Sequence, residues 1–162
     1  MMSNRMFSRL MMAAAFALCC SPLQAGELDR PTPVNERLRD SAAVVVATAR
    51  QVDATWKPGP TGDQIIVTRV LLEVTETLKG DDQSSRWLDV PGGTLEGVTL
   101  KVSGELTVRE GDRGVFFLDP ANGGIHSAHG KAEALLRLDQ QDTVKGTTIR
   151  LDDIRRIAAK SR

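Results

Sequence analysis

From Ile66 to Leu78 the side chains alternate, and no other stretch of the chain constrains its fold as tightly. One parity carries Ile66, Thr68, Val70, Leu72, Val74 and Leu78, and the other carries Arg69, Glu73, Thr75 and Thr77, with Leu71 the exception. Successive strand residues point to opposite faces, so a dozen alternating positions predict one long strand with a core face and a wet face. A strand of that length bends, as strands do where one ribbon serves two sides of a barrel. On this reading Glu73 is solvated. Glu76 shares the core parity and is expected at a frayed strand end. Lys79-Gly80-Asp81-Asp82 closes the strand.

Other strands follow from shorter runs. Ala42 to Ala49 is a β-branched run suited to a buried strand and too short for a helix, and Gln51-Val52-Asp53 extends it. Lys57 to Asp63 reads as a loop from its Pro and Gly content. Trp87-Leu88-Asp89-Val90 is a short strand broken by Pro91-Gly92-Gly93. Val98 to Val108 alternates again, and Val115-Phe116-Phe117-Leu118 is a compact apolar strand. A strand is expected within Ile125 to Leu138, with a helix over Lys131 to Leu138 as the alternative, and Thr147 to Arg150 is a candidate final strand. Leu151, Ile154, Ile157 and Ala158 recur at spacings of three and four, which predicts an amphipathic C-terminal helix. Asp152 and Asp153 at its start and Lys160 and Arg162 at its end complement the helix dipole. Five or six uneven strands with Gly-bearing turns make the chain mostly β, a small barrel followed by a helix. The expected organisation is a leader over 1–25, an arm over 26–41, a β-barrel domain over 42–150 and a helix over 151–162.

The leader is read from Arg5 and Arg9, the uncharged apolar run Leu10 to Cys20, and the exit Ser21-Pro22-Leu23-Gln24-Ala25. This is the layout of a secretory signal peptide, and the run is far shorter than the roughly 20 residues a spanning helix needs. Cleavage after Ala25 leaves 137 residues with no transmembrane segment, placed in the periplasm or outside the cell. A lipidated Cys19 or Cys20 is the minor alternative, because Leu18 rather than a small residue precedes Cys19. All two Cys and five Met of the chain fall within the first twenty residues. The mature chain therefore has no disulfide, Cys-based zinc site, iron–sulfur centre or thiol nucleophile. Losing two arginines with the leader leaves 19 basic against 21 acidic residues, a net charge of −2. Without a basic cluster, nucleic acid is excluded as a partner.

Chemistry candidates are few. His126 and His129 are the only histidines, and either a metal site or an acid–base pair would have to be built on them. An offset of three points them to opposite faces of a strand, which favours polar rim residues. Ser103 and Ser127 could be combined on paper with a histidine and Asp119, but no Gly-x-Ser-x-Gly elbow supports a triad. Gly92-Gly93 and Gly97 precede alternating β sequence rather than a helix and so read as a bulge, not a phosphate cradle. Trp56 and Trp87 border loops, where they can cap a barrel end, anchor an interface or stack on a sugar. No cofactor motif is present.

The order of these signals resembles a known group. The Ala43–Ala49 strand, Ile66-Val67-Thr68 through Leu78-Lys79-Gly80, Val90-Pro91-Gly92-Gly93, Val102-Ser103-Gly104 and Glu110-Gly111-Asp112-Arg113-Gly114-Val115-Phe116-Phe117-Leu118 are similar to uncharacterised secreted bacterial proteins with an oligonucleotide/oligosaccharide-binding (OB) barrel. More distantly, the pattern is similar to netrin-like modules, which include metalloprotease inhibitors. The resemblance covers about residues 42–138 and implies a five- to six-stranded OB-like barrel and contact with a secreted protease. Those inhibitors act through an N-terminal Cys that this mature chain lacks, so the fold carries over and the inhibitory mechanism does not. The expected function is a non-enzymatic exported module that binds a protein or other ligand, with Trp56, Trp87, His126 and His129 as ligand-binding candidates. A small histidine-dependent hydrolase or metal enzyme and an oligosaccharide-binding barrel are the alternatives.

Overall fold

The computed structural model describes residues 31–160. The leader, with Cys19 and Cys20, and arm residues 26–30 lie outside them. The rest of the arm holds the helix α1 (Val34–Asp40) behind Pro33.

Strands β1 (Ala43–Pro58) and β2 (Gln64–Lys79) form an antiparallel ribbon of 16 residues on each side. Lys57 and Pro58 belong to β1 rather than to the loop expected there, which shrinks to Gly59–Asp63. The ladder shifts register between Val44 and Val45, Val46 and Ala47, and Ala49 and Gln51. Each shift inserts an unpaired residue, which bends and coils the ribbon. These irregularities also correct the strict parity reading of β2. Val70 and Leu72 point into one core cluster, whereas Leu78 belongs to the other. Glu76 is not at a frayed end. It is half-buried within β2 and is held by Arg155, with Nη2 to Oε2 at 2.6 Å.

β3 (Ser85–Pro91) pairs with β2, and β6 (Arg113–Leu118) pairs with the first half of β1. The hairpin β4 (Gly93–Leu95) and β5 (Val98–Leu100) forms a separate two-stranded sheet, and β8 (Leu135–Arg137) lies on β6. β7 (Ile125–Ser127) runs parallel to β3, with Leu88 opposite His126. The main sheet has the order β7-β3-β2-β1-β6-β8, so the chain is mostly β. One further bridge joins Leu118, at the end of β6, to Ala128, just past β7.

Two sequence expectations change here. Val98 to Val108 is not one strand: after the positive-φ turn at Glu96 and Gly97 its first three residues form the second arm of a hairpin, the ladder stops at Leu100, and positive φ at Gly104 turns the chain again. Val98 and Val102 are left exposed, while Leu106 and Val108 enter the core. Thr147 to Arg150 is a turn with isolated bridges rather than a strand.

The two core clusters explain why the Ala/Val and Phe/Phe runs do not alternate. Val45, Ala47, Phe116 and Leu118 face Leu72, Leu88, Val90 and Leu106 on one side of the sheet. Val44, Val46, Val115 and Phe117 face α1 and α2 (Leu151–Lys160) on the other, against Leu38, Leu151 and Ile154. A strand covered on both sides reads as a continuous apolar run. Gly114 is fixed by the approach of β8: a Cβ there would overlap the Leu136 carbonyl oxygen and lie 2.6 Å from Leu135 Cδ1.

Candidate functional site

A polar cluster lies at the start of strand β3 and a cleft at its end, separated by roughly 16 Å at a strand rise of about 3.3 Å per residue. At its start, Arg86 has the parity of Leu88 and Val90 and therefore points inward. It is 5% exposed. Its Nη1 donates to His126 Nε2 at 2.9 Å, and its Nη2 donates to the Asp81 carbonyl. A guanidinium has no acceptor, so Nε2 of His126 must be the acceptor and Nδ1 must carry the proton. Nδ1–H donates to the Asp119 carbonyl at 2.7 Å. Both ring nitrogens of His126 are thus engaged within the protein.

His129 lies just beyond β7, and its Nδ1 is 2.7 Å from Asp119 Oδ1. The two histidines therefore converge on Asp119, one on its carbonyl and one on its carboxylate, although a strand offset of three would separate them. Ser127 Oγ donates to Asp119 Oδ2 at 3.4 Å. Asp119 stands between the serine and His129, whereas a nucleophilic relay requires the histidine in the middle. Among the described residues, no three His, Cys, Asp or Glu side chains are placed to hold a metal ion.

Trp56 is 41% exposed and Trp87 36% exposed. Trp56 pairs with Ile66, on the face that continues through Thr68 and Val70 to the core, whereas Trp87 pairs with Leu71 on the opposite face. They do not form a shared stacking platform.

At the other end of β3, a cleft of about 560 Å³ lies between the end of β3, the β4–β5 hairpin and residues 101–108. Val90, Gly93, Thr99, Val102, Leu106 and Val108 are among its walls. Gly92 and Gly93 let the backbone cross the ribbon here. Their φ values are +100° and +139°, Thr68 Oγ1 donates to the Gly92 carbonyl at 2.7 Å, and a Cβ on Gly93 would lie 2.7 Å from that hydroxyl oxygen. The bulge expected at this Gly pair is a crossover that opens the cleft.

Residues Glu105 to Val108 run along the cleft with outward and buried side chains in alternation, yet outside any ladder. Among the described residues, the amide groups of Leu106, Thr107 and Val108 have no acceptor. The Thr107 carbonyl accepts from Arg137 Nη2 at 2.5 Å. Both features escaped sequence reasoning. Arg86 could have been found from its core parity. The free backbone of residues 106–108 could not, because it depends on where distant strands stop.

Between the two ends, Asp89 is bound by Arg69 Nε at 2.8 Å and Lys57 Nζ at 2.9 Å. Burial pushes its carboxyl up, but the two cations outweigh that effect and hold it below the ordinary carboxylate range. No protein-family model matches the chain, and a search of curated proteins finds no match. Among the described residues, no helix is long and apolar enough to cross a membrane.

Proposed function

We propose that this chain is an exported, non-catalytic OB-type barrel that binds an extended segment of a protein partner in the cleft beside the β4–β5 hairpin. The observation that carries the reading is that, among the described residues, the amides of Leu106, Thr107 and Val108 have no acceptor, along a cleft walled by Val90, Val102 and Leu106. Unpaired amides and carbonyls on an extended segment are a template for an added strand, and alternating apolar walls select the added side chains. Val102, 39% accessible, borders it with exposed apolar surface.

The OB reading draws support from the parallel β3–β7 pair and from the isolated Leu118–Ala128 bridge near the ends of β6 and β7, while the main sheet itself has the open order β7-β3-β2-β1-β6-β8. The netrin-like resemblance makes a secreted protease one candidate partner. Export follows from the leader, with Ala25 as the cleavage position, and the mature chain is expected to begin at Gly26 by intact-mass measurement. A lipidated N-terminus at Cys19 or Cys20 would replace that result with the heavier acylated species.

The binding reading is tested with a photo-crosslinking residue at Val102 in the producing cell. A discrete adduct is expected there and not from Arg156 on the opposite side of the sheet. Thr107→Pro, which removes an amide the fold does not use, should abolish the adduct without lowering thermal stability. Equal adducts from Val102 and Arg156, or an adduct insensitive to Thr107→Pro, would overturn it.

A further inference from the structure

We infer that the cavity over Arg86 is a binding site for a single carboxylate group. It holds about 320 Å³ and is lined by Arg86, His126, Asp81, Gln83, Ala121 and Gly124. Other well-placed guanidinium groups have a carboxylate: on the sheet Arg69 has Asp89, Arg137 has Asp112 and Arg113 has Asp142, and on α2 Arg155 has Glu76. Arg86 is the more deeply buried and has none within ion-pair distance among the described residues. Its partners are a neutral imidazole nitrogen and a backbone carbonyl, and its Nε–H meets no acceptor. A charge removed from water without a counterion is costly, and the planar guanidinium fork matches a carboxylate.

Arg37, the other buried arginine with an orphan Nε–H, differs in its setting. It lies 5.1 Å over the Phe117 ring, with the Glu133 charge nearby, whereas Arg86 borders an open cavity. His126 contributes by position, since its Nδ1–H bond to the Asp119 carbonyl holds Nε2 against Arg86 and fixes the fork. The exposed carboxylate of Asp81 among the lining residues sets the charge limit. Arg86 balances one negative charge, and the repulsion from Asp81 that a monoanionic carboxylate meets would be about doubled for a dianionic phosphate.

The test is a titration of the mature protein followed by the Arg86 Nε–H resonance in ¹H–¹⁵N spectra, with acetate, phosphate and chloride at constant ionic strength. A saturable shift with acetate, absent with chloride, is expected. Arg86→Lys keeps the charge but loses the fork and should weaken acetate binding about tenfold. Ala121→Trp fills the exposed rim without touching Arg86 and should abolish binding, and Ala121→Ser should not. A short peptide with a free C-terminus binding more tightly than acetate assigns the site to a chain terminus, and equal binding assigns it to a small free acid. Either result supports the site if the C-terminally amidated peptide fails to bind. No saturable shift, an unchanged response in Ala121→Trp, or phosphate binding more tightly than acetate would overturn the inference. Its outcome is independent of crosslinking at Val102, at the opposite end of β3.

Discussion

Asp89 faces outward by strand parity, opposite in phase to Leu88 and Val90, and is nevertheless buried, because Arg69 and Lys57 close over it. Its folded-state carboxyl titrates lower than in the unfolded chain, so the stabilisation it supplies is complete above the ordinary carboxylate range. That stabilisation is lost as pH falls through the lowered folded value. Asp112 behaves in the same direction: burial opposes ionisation, and Arg137 with the Arg109 amide more than offsets it. Asp89→Asn should therefore cost about 1–2 kcal/mol at pH 7, reduced from the buried-pair range because both cations are partly exposed. Urea unfolding at neutral pH and again near pH 2.5 checks this, and the gap between variant and wild type should narrow at the lower pH. A constant gap would mean that packing rather than charge is lost. Single-residue environments of this kind are the least legible part of the sequence. The Arg-Trp-Leu-Asp-Val string of β3 displays its alternation, but which charged side chain is covered depends on neighbours from β1, β2 and β7.

At the scale of elements, legibility followed the period of each segment. The long alternation of β2 and the three- and four-residue spacing of α2 correspond to a strand of 16 residues and a helix of ten. Register shifts have no sequence signal of their own, so Glu76 and Leu78 were placed on the wrong side of the ribbon. Short ladders such as β4, β5, β7 and β8 are three residues each and exist only through their partners. Lys79 shows how one element end secures another. Its ammonium donates to the carbonyls of Leu38, Arg39 and Ser41 at 2.9, 2.7 and 2.6 Å, satisfying orphan acceptors at the C-terminus of α1. Lys79→Met keeps the aliphatic stem and leaves those carbonyls unsatisfied. It should lower stability by about 1–3 kcal/mol and free α1 first. Amide exchange in residues 34–40 rising before global unfolding is the expected signature, and loss confined to global unfolding would argue that α1 is held by Leu38 burial alone.

For the whole molecule, the apolar strands at Ala42–Ala49 and Val115–Leu118 were readable, whereas the contact between the ends of β6 and β7 was not. β6 and β7 meet there through two backbone hydrogen bonds between segments with no shared pattern. The Asp119 amide donates to the Ser127 carbonyl at 3.0 Å and the His129 amide donates to the Phe117 carbonyl at 3.0 Å, and together these two bonds make the Leu118–Ala128 bridge. If these contacts join β6 to β7 as a barrel seam, they open only when the core opens. The amides of Asp119 and His129 should then exchange within about tenfold of those in β1 opposite β6. The same experiment contains its own contrast, because the amides of Leu106, Thr107 and Val108 have no acceptor and should exchange fast although two of those side chains are buried. Exchange at Asp119 and His129 as fast as at Thr107 would mean that β7 only docks on β3 and leaves the sheet open. Protection at all five amides in the free protein would mean that the cleft backbone already has acceptors, and strand addition would lose its template.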